Sequence, residues 1–283
     1  MTSQTNLANQ TRGVLFCAYG KHYMGEVLFA AQRIRMLYPE LPIVFITDHQ
    51  QPGFRDFPLA AMFDDVIHMP YESLESTCYG KDPACVYNIS GYLFKIRGVN
   101  RSPFDRTLFM DTDTYVVDPC LDSLFGVLDK VDLAIAHQVL HFVNVSAVAP
   151  VMEMNTGMIV YSRGAVPIME DWEQGFRELK YGLYGSVDQT YFQLSYAKYL
   201  GKIHTLILSP EYNVRPETTV VNPIRILHDR SYHERLPVQH YPHFINTVYA
   251  LLSRGAATAS FKEMGMDALN RYNAYLAQQA QQG

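Results

Sequence analysis

Short unbroken apolar runs alternate along this chain with longer stretches in which apolar positions recur every three or four residues. Residues 13–18 (GVLFCA) and 43–46 (IVFI) are continuous apolar blocks, a pattern that suits strands covered on both faces. Between them, 24–37 predicts a helix with Val27, Leu28, Ile34 and Leu37 on or near one face, and Pro39 and Pro42 bracket its exit. Residues 66–69 predict a short third strand, 70–86 a turn-rich loop over a site, and 88–99 a second helix. A central strand then ends at Met110, after Leu108 and Phe109. Further strands are predicted at 132–136, 158–161, 203–208 and 224–227, with a less regular stretch at 137–153. A helix at 166–179 carries the single tryptophan, Trp172, and Ser186 caps another that runs to Tyr199. Two closing helices are predicted at 243–253 and 261–278. In the second, Phe261, Met264, Leu269, Tyr272 and Leu276 share a face, and the polar side is not basic, so the stripe suits a core or a partner chain better than a membrane.

Strands alternating with helices of this length imply an α/β fold with a mainly parallel central sheet flanked by helices. The expected organisation is a loose tail at 1–12, one domain over 13–235 and a helical C-terminal extension over 236–283.

Composition narrows the function. With 48% apolar and 13% aromatic residues the chain fills a sizeable core. A net charge of −5 with 23 Lys plus Arg leaves no basic face for nucleic acid. Cys17, Cys78, Cys85 and Cys120 have no C-x-x-C spacing and read as reduced thiols, a Cys78–Cys85 loop bridge being the alternative. The first residues lack the apolar core of a signal peptide, and no run of about 18 apolar residues occurs. A cytoplasmic protein is therefore expected.

The chemistry concentrates in residues 106–118, RTLFMDTDTYVVD. Side chains at i and i+2 of an extended segment point the same way, so Asp111 and Asp113 can approach one cation, with Asp118 further on. Hard oxygen ligands at a strand's carboxyl end suit Mn²⁺ or Mg²⁺ carrying a phosphate-bearing ligand, and open α/β sheets bind ligands at that edge. His228 directly follows the predicted strand 224–227 and would complete a Mn²⁺ shell. Asn155-Thr156-Gly157 reads as a turn before a strand; its amide and hydroxyl suit sugar hydroxyls, and Gly157 permits close approach of a ligand. Asp188-Gln189 opens a helix, where an acid also complements the helix dipole. Lys95, on the helix before the acidic strand, is either a snorkelling surface lysine or a cation for phosphate. A G-x-G-x-x-G turn, a phosphate-binding G-x-x-x-x-G-K-[ST] loop and a G-x-S-x-G elbow are all missing.

In order, these features resemble the GT-A glycosyltransferases, in particular the glycogenin-like and lipopolysaccharide galactosyltransferase-like families. The shared pattern runs from Gly13 to about Arg230: a strand ending near Ala18-Tyr19, a basic residue on the helix before the acidic strand, LFMDTDTYV, NTG, DQ, a YN pair, and a late strand ending in His. The resemblance implies a GT-A fold and a nucleotide-sugar donor, usually a UDP-sugar, with Mn²⁺ (or Mg²⁺) held by Asp111, Asp113 and His228. Ala18, Tyr19 and Tyr23 would line the base and ribose pocket, and Thr112 would lie with the donor between the two acids. Lys95 would touch the diphosphate or donor sugar. Asn155 and Asp188 would orient sugar hydroxyls near the anomeric carbon, with Gln189 beside them. Those relatives retain anomeric configuration, so retention is expected, with an inverting route through a base such as Asp188 as the alternative. One departure is clear: the late histidine is followed by Asp229-Arg230 and not by G-x-x-K-P-W, so Arg230 would replace the phosphate lysine of those families. A saccharide, lipid or protein acceptor and a homo-oligomer are all left open.

Two rivals come from other classes. Leu108 to Thr114 also matches the D-x-D-x-T motif of haloacid-dehalogenase-type phosphatases, with Asp111 as nucleophile and Asp113 as general acid. The second acidic motif of that family should follow, whereas Asp64-Asp65 lies upstream. A nucleotide-sugar-binding protein without turnover is the other.

Overall fold

The computed structural model describes residues 12–20, 23–48, 58–74, 83–138, 151–178, 188–215 and 223–228, together with isolated helical positions at 274, 278 and 281. The tail, Cys78, Ser186, Arg230, the side chain of Cys85 and nearly all of the two closing helices lie outside them.

The first half is built from β1 (Arg12–Ala18), α1 (Met24–Leu37), β2 (Ile43–Thr47), β3 (Asp65–His68), α2 (Pro83–Val99), β4 (Arg106–Met110) and β5 (Thr114–Val116). After it come α3 (Leu121–Val127), β6 (Leu133–His137), β7 (Met154–Ser162), α4 (Val166–Arg177), α5 (Asp188–Lys198), β8 (Thr205–Leu208) and β9 (Ile226–His228). Seven strands form one sheet in the order β3-β2-β1-β4-β7-β6-β8, and β5 pairs with β9 in a separate two-stranded sheet. β7 runs antiparallel to both β4 and β6; the other pairings of the large sheet are parallel.

Side-chain alternation explains the apolar runs. In β1, Val14, Phe16 and Ala18 face a layer with Val27, Leu28 and Ile34 of α1 and Leu121 and Phe125 of α3. Leu15 and Cys17 face the other layer, with Leu93 and Phe94 of α2, Trp172 and Phe176 of α4, and Tyr191 of α5. Every residue from Val14 to Ala18 is buried, so the strand cannot show the polar alternation of a half-exposed one.

The chain leaves β1 through α1 towards β2 on one side and returns to β4 on the other. The order reverses between β1 and β4, and a crevice opens beyond their carboxyl ends. Ala18-Tyr19 and Met110-Asp111 stand at that edge. α2 comes close to it because Gly91 has no side chain: a Cβ there would sit 2.4 Å from the Tyr19 ring.

Several boundaries differ from the sequence expectation. α2 begins at Pro83, so the expected loop ends earlier; proline at a first helical turn lacks only a donor that is orphaned there anyway. Asn155, Thr156 and Gly157 lie inside β7, where pairing with β6 overrides their turn preference. α5 starts at Asp188, β8 at Thr205, and β6 runs one residue later than expected. His228 is the last residue of β9 and not the residue after it, and β9 belongs to the small sheet.

Candidate active site

The acidic segment is a tight turn between two sheets. β4 ends at Met110, the amide of Thr114 donates to the Asp111 carbonyl at 3.1 Å, and β5 begins at Thr114. Asp111 and Asp113 therefore do not share a face of one extended strand, as their spacing suggested; the turn gathers them instead. The Asp111 amide donates to the Gly157 carbonyl of β7 at 2.7 Å, and the Thr112 hydroxyl donates to buried Glu26 of α1 at 2.7 Å. Arg33, two helical turns beyond Glu26, donates to the carbonyls of Val116 at 2.9 Å and Val117 at 2.6 Å. One helix thus braces both ends of the segment. Asp118 is drawn off to Arg225, at 3.5 Å.

β9 brings the third member. His228 pairs with Thr114 across the small sheet, which sets its ring beside Asp113, with Nε2 3.5 Å from Asp113 Oδ1. Asp111, Asp113 and His228 each offer a ligand atom, and these atoms lie within 4.8 Å of one another. The ring meets Asn213 Oδ1 through Nδ1 at 2.9 Å. A carbonyl oxygen only accepts, so Nδ1 carries the proton and Nε2 presents its lone pair to the acids. Gly157 makes room for this ring, since a Cβ there would lie 2.0 Å from His228 Cε1. The close approach foreseen at Gly157 is thus made by a histidine of the chain itself. Oxygen and imidazole donors in this number suit Mn²⁺ or Mg²⁺.

A second cluster shares Asp111. Lys95 Nζ lies 2.9 Å from Asp111 Oδ1, 3.0 Å from Asp188 Oδ2 and 3.3 Å from the Thr156 hydroxyl, 5.4 Å above the Phe109 ring centroid. Thr156 in turn donates to Asp188 Oδ2 at 2.6 Å. Lys95 points inward, which removes the snorkelling alternative. Burial alone would lower its pKa, but Asp111 and Asp188 outweigh that and hold it above the usual lysine range, so the ammonium stays charged. Burial pushes the Asp111 carboxyl above the usual carboxylate range; Lys95 opposes the shift and Asp113 adds to it.

The remaining candidates are distributed around these clusters. Tyr19 stacks on Tyr71 at 5.3 Å and packs obliquely on Tyr23 and Phe94, each at 6.1 Å, forming an aromatic wall beyond Ala18 at the end of β1. Asn155 is buried, donating to Gln138 Oε1 at 2.6 Å and accepting from the Gly157 amide at 2.9 Å. Gln189 donates to Glu153 Oε1 at 2.8 Å. Glu26, Asn213 as orienter of His228, and Arg215 were not singled out from the sequence. Arg215 Nη2 lies 3.1 Å from His228 Nε2. Only the YN pair hinted at Asn213; Glu26 and Arg215 gave no local signal, because their partners are 86 and 13 positions away.

Solved structures resemble this arrangement of strands and helices. The galactosyltransferase LgtC, in complex with donor and acceptor sugar analogs, matches 84% of this chain and 96% of its own at a TM-score of 0.55 and 12% identity. The apo-form glycosyltransferase GlyE of Streptococcus pneumoniae matches 96% of this chain at a TM-score of 0.55 and 16% identity, and the match spans 64% of that chain. No family model matches the sequence, and no curated protein matches it by sequence. At such identities the likeness establishes the fold, which is that of the GT-A glycosyltransferases. Among the described residues, no helix is long and apolar enough to cross a membrane.

Proposed function

We propose that the chain is a metal-dependent glycosyltransferase that moves a sugar from a nucleotide-diphosphate sugar, a UDP-sugar in the first instance, to an acceptor. The observation that carries the reading is the convergence of Asp111, Asp113 and His228 within 4.8 Å at the switch point of a GT-A sheet. The neighbour LgtC was solved with donor and acceptor sugar analogs, which supports a donor site at the same edge here.

Mn²⁺ or Mg²⁺, when bound, would neutralise charge on the departing diphosphate. Asp111, Asp113 and the Nε2 lone pair of His228 would hold it. Tyr19 and Tyr23 would wall the base and ribose beyond Ala18, with Thr112 beside the donor but turned to Glu26. Asp188, fixed by Lys95, Thr156 and its place at the start of α5, would orient the donor sugar near its anomeric carbon, with Gln189 alongside. Lys95 holds Asp111 and Asp188 in place and remains a cation close to the transferring group. Asn155 keeps β7 and Gln138 in register beside it. Retention is the proposed stereochemical outcome, in keeping with the family resembled.

The fold favours transfer over phosphatase chemistry at the same two acids, and turnover separates an enzyme from a binding protein. Incubation with a panel of UDP- and GDP-sugars and saccharide acceptors, read as nucleoside diphosphate release, tests the proposal. Release with one donor preferred, supported by Mn²⁺ and abolished by a chelator, is expected. No release from any donor, alongside hydrolysis of simple phosphate esters, would overturn it.

A further inference from the structure

A guanidinium stands where the proposed cation needs a ligand. His228 Nδ1 is committed to Asn213, so Nε2 is the ring's remaining donor atom for a metal. Arg215 Nη2 approaches that nitrogen to 3.1 Å, while Asp113 Oδ1 lies 3.5 Å from it. A lone pair that accepts a hydrogen bond from an arginine cannot bind a metal at the same time. Arginine also remains protonated at any pH the fold tolerates, so the two states exchange by movement and not by loss of a proton.

We propose that Arg215 is both the placeholder cation of the empty metal site and the arginine that receives the donor's diphosphate once the metal enters. The proposal rests on the transferase reading above. Charge favours the exchange: Asp111 and Asp113 lie close together in a largely buried turn, and a nearby positive charge stabilises both. The divalent ion takes over that role and brings phosphate oxygens with it, giving the displaced guanidinium a new anion to bind through its fork of donors.

The geometry limits what must move. Val214 bridges to Leu227, its amide donates to Ile226 at 2.9 Å, and its carbonyl accepts from His228 at 2.8 Å. The backbone beside Arg215 is therefore tied to β9, and rotation of the side chain is sufficient. The role also answers the departure after the late histidine, where a phosphate lysine was expected.

The proposal makes two predictions of opposite sign. With Arg215→Gln, Mn²⁺ affinity without nucleotide, read from the free-ion paramagnetic resonance signal, rises by roughly fivefold because a competing positive charge is gone. With Mn²⁺ saturating, UDP affinity falls roughly ten- to hundredfold, the range for a lost hydrogen bond to a charged group, and the preference for UDP over UMP collapses. Arg215→Lys keeps the charge without the fork and falls between the two proteins on both readings; it also serves if the glutamine variant folds poorly. Unchanged or weaker Mn²⁺ binding in Arg215→Gln, or unchanged UDP binding, would overturn the role of Arg215 and leave the transferase reading standing. Absence of Mn²⁺-dependent UDP binding in the unaltered protein would remove both.

Discussion

Two ionic clusters share the carboxyl edge of the sheet and one residue, Asp111, yet they are built for different ends. Around Lys95 the charges are closed: one buried ammonium meets Asp111, Asp188 and the Thr156 hydroxyl at 2.9–3.3 Å, each donor facing acceptors of fixed geometry. Around His228 they are open. Two acids and a neutral ring nitrogen gather within 4.8 Å, and the chain answers them with a single guanidinium, from Arg215. The closed cluster holds the crevice in shape, and the open one is left to be completed by a ligand. Buried ion pairs of the first kind fix geometry more than they add stability, but removing one partner strands the others.

Lys95→Met breaks the closed cluster and should have the largest effect. It leaves Asp111 and Asp188 without their counter-charge and should lower stability by about 3–5 kcal/mol, read by urea denaturation, with part of the loss recovered in Lys95→Met/Asp188→Asn. Full stability in the single variant would contradict the closed reading. Asp113→Ala should instead leave the melting temperature near that of the unaltered protein while reducing metal-dependent UDP affinity at least about a hundredfold, near 2.7 kcal/mol. The contrast between these two variants separates scaffold from ligand site. His228→Ala should cost less, about tenfold in Mn²⁺ affinity, since both carboxylates remain. Gly157→Ala should approach the same loss without touching a ligand, because its Cβ would displace the His228 ring; Mn²⁺ binding as in the unaltered protein would show that the ring adapts.

The smallest expected effect lies beneath both clusters. Cys17 and Cys120 are buried free thiols. Burial drives Cys17 well above its ordinary value of 9.0 and Cys120 up to about 12. Neither should react with maleimide at pH 8 in the folded protein, as peptide mapping can check, and both should react in denaturant. Because the folded values are raised, the contribution of these thiols to stability is intact below about pH 9 and declines as the pH rises beyond it.

How far the sequence could be read follows from the same contrast. β1, β2 and β4 were visible as apolar runs because both their faces are covered, and α1 because one of its faces is. The acidic pair was legible as a motif at a strand end, but its shape was not: a strand predicts side chains on one face, whereas the structure turns between two sheets. β7 swallowed the NTG segment, since cross-strand pairing outweighs the local turn preference of Asn and Gly. Asp111, Asp113 and His228 were expected as a group from the resemblance and are brought together by the β5–β9 pairing. Glu26 and Arg215 were invisible because their meaning lies entirely in the partners that folding gives them.

The most direct test is calorimetric titration of the protein with UDP and a set of UDP-sugars, with Mn²⁺ and again with excess chelator, beside Asp113→Ala. The account predicts binding that requires Mn²⁺, prefers one sugar, and disappears in the folded variant. Binding that is indifferent to both the metal and Asp113, or no binding of any nucleotide, would contradict it.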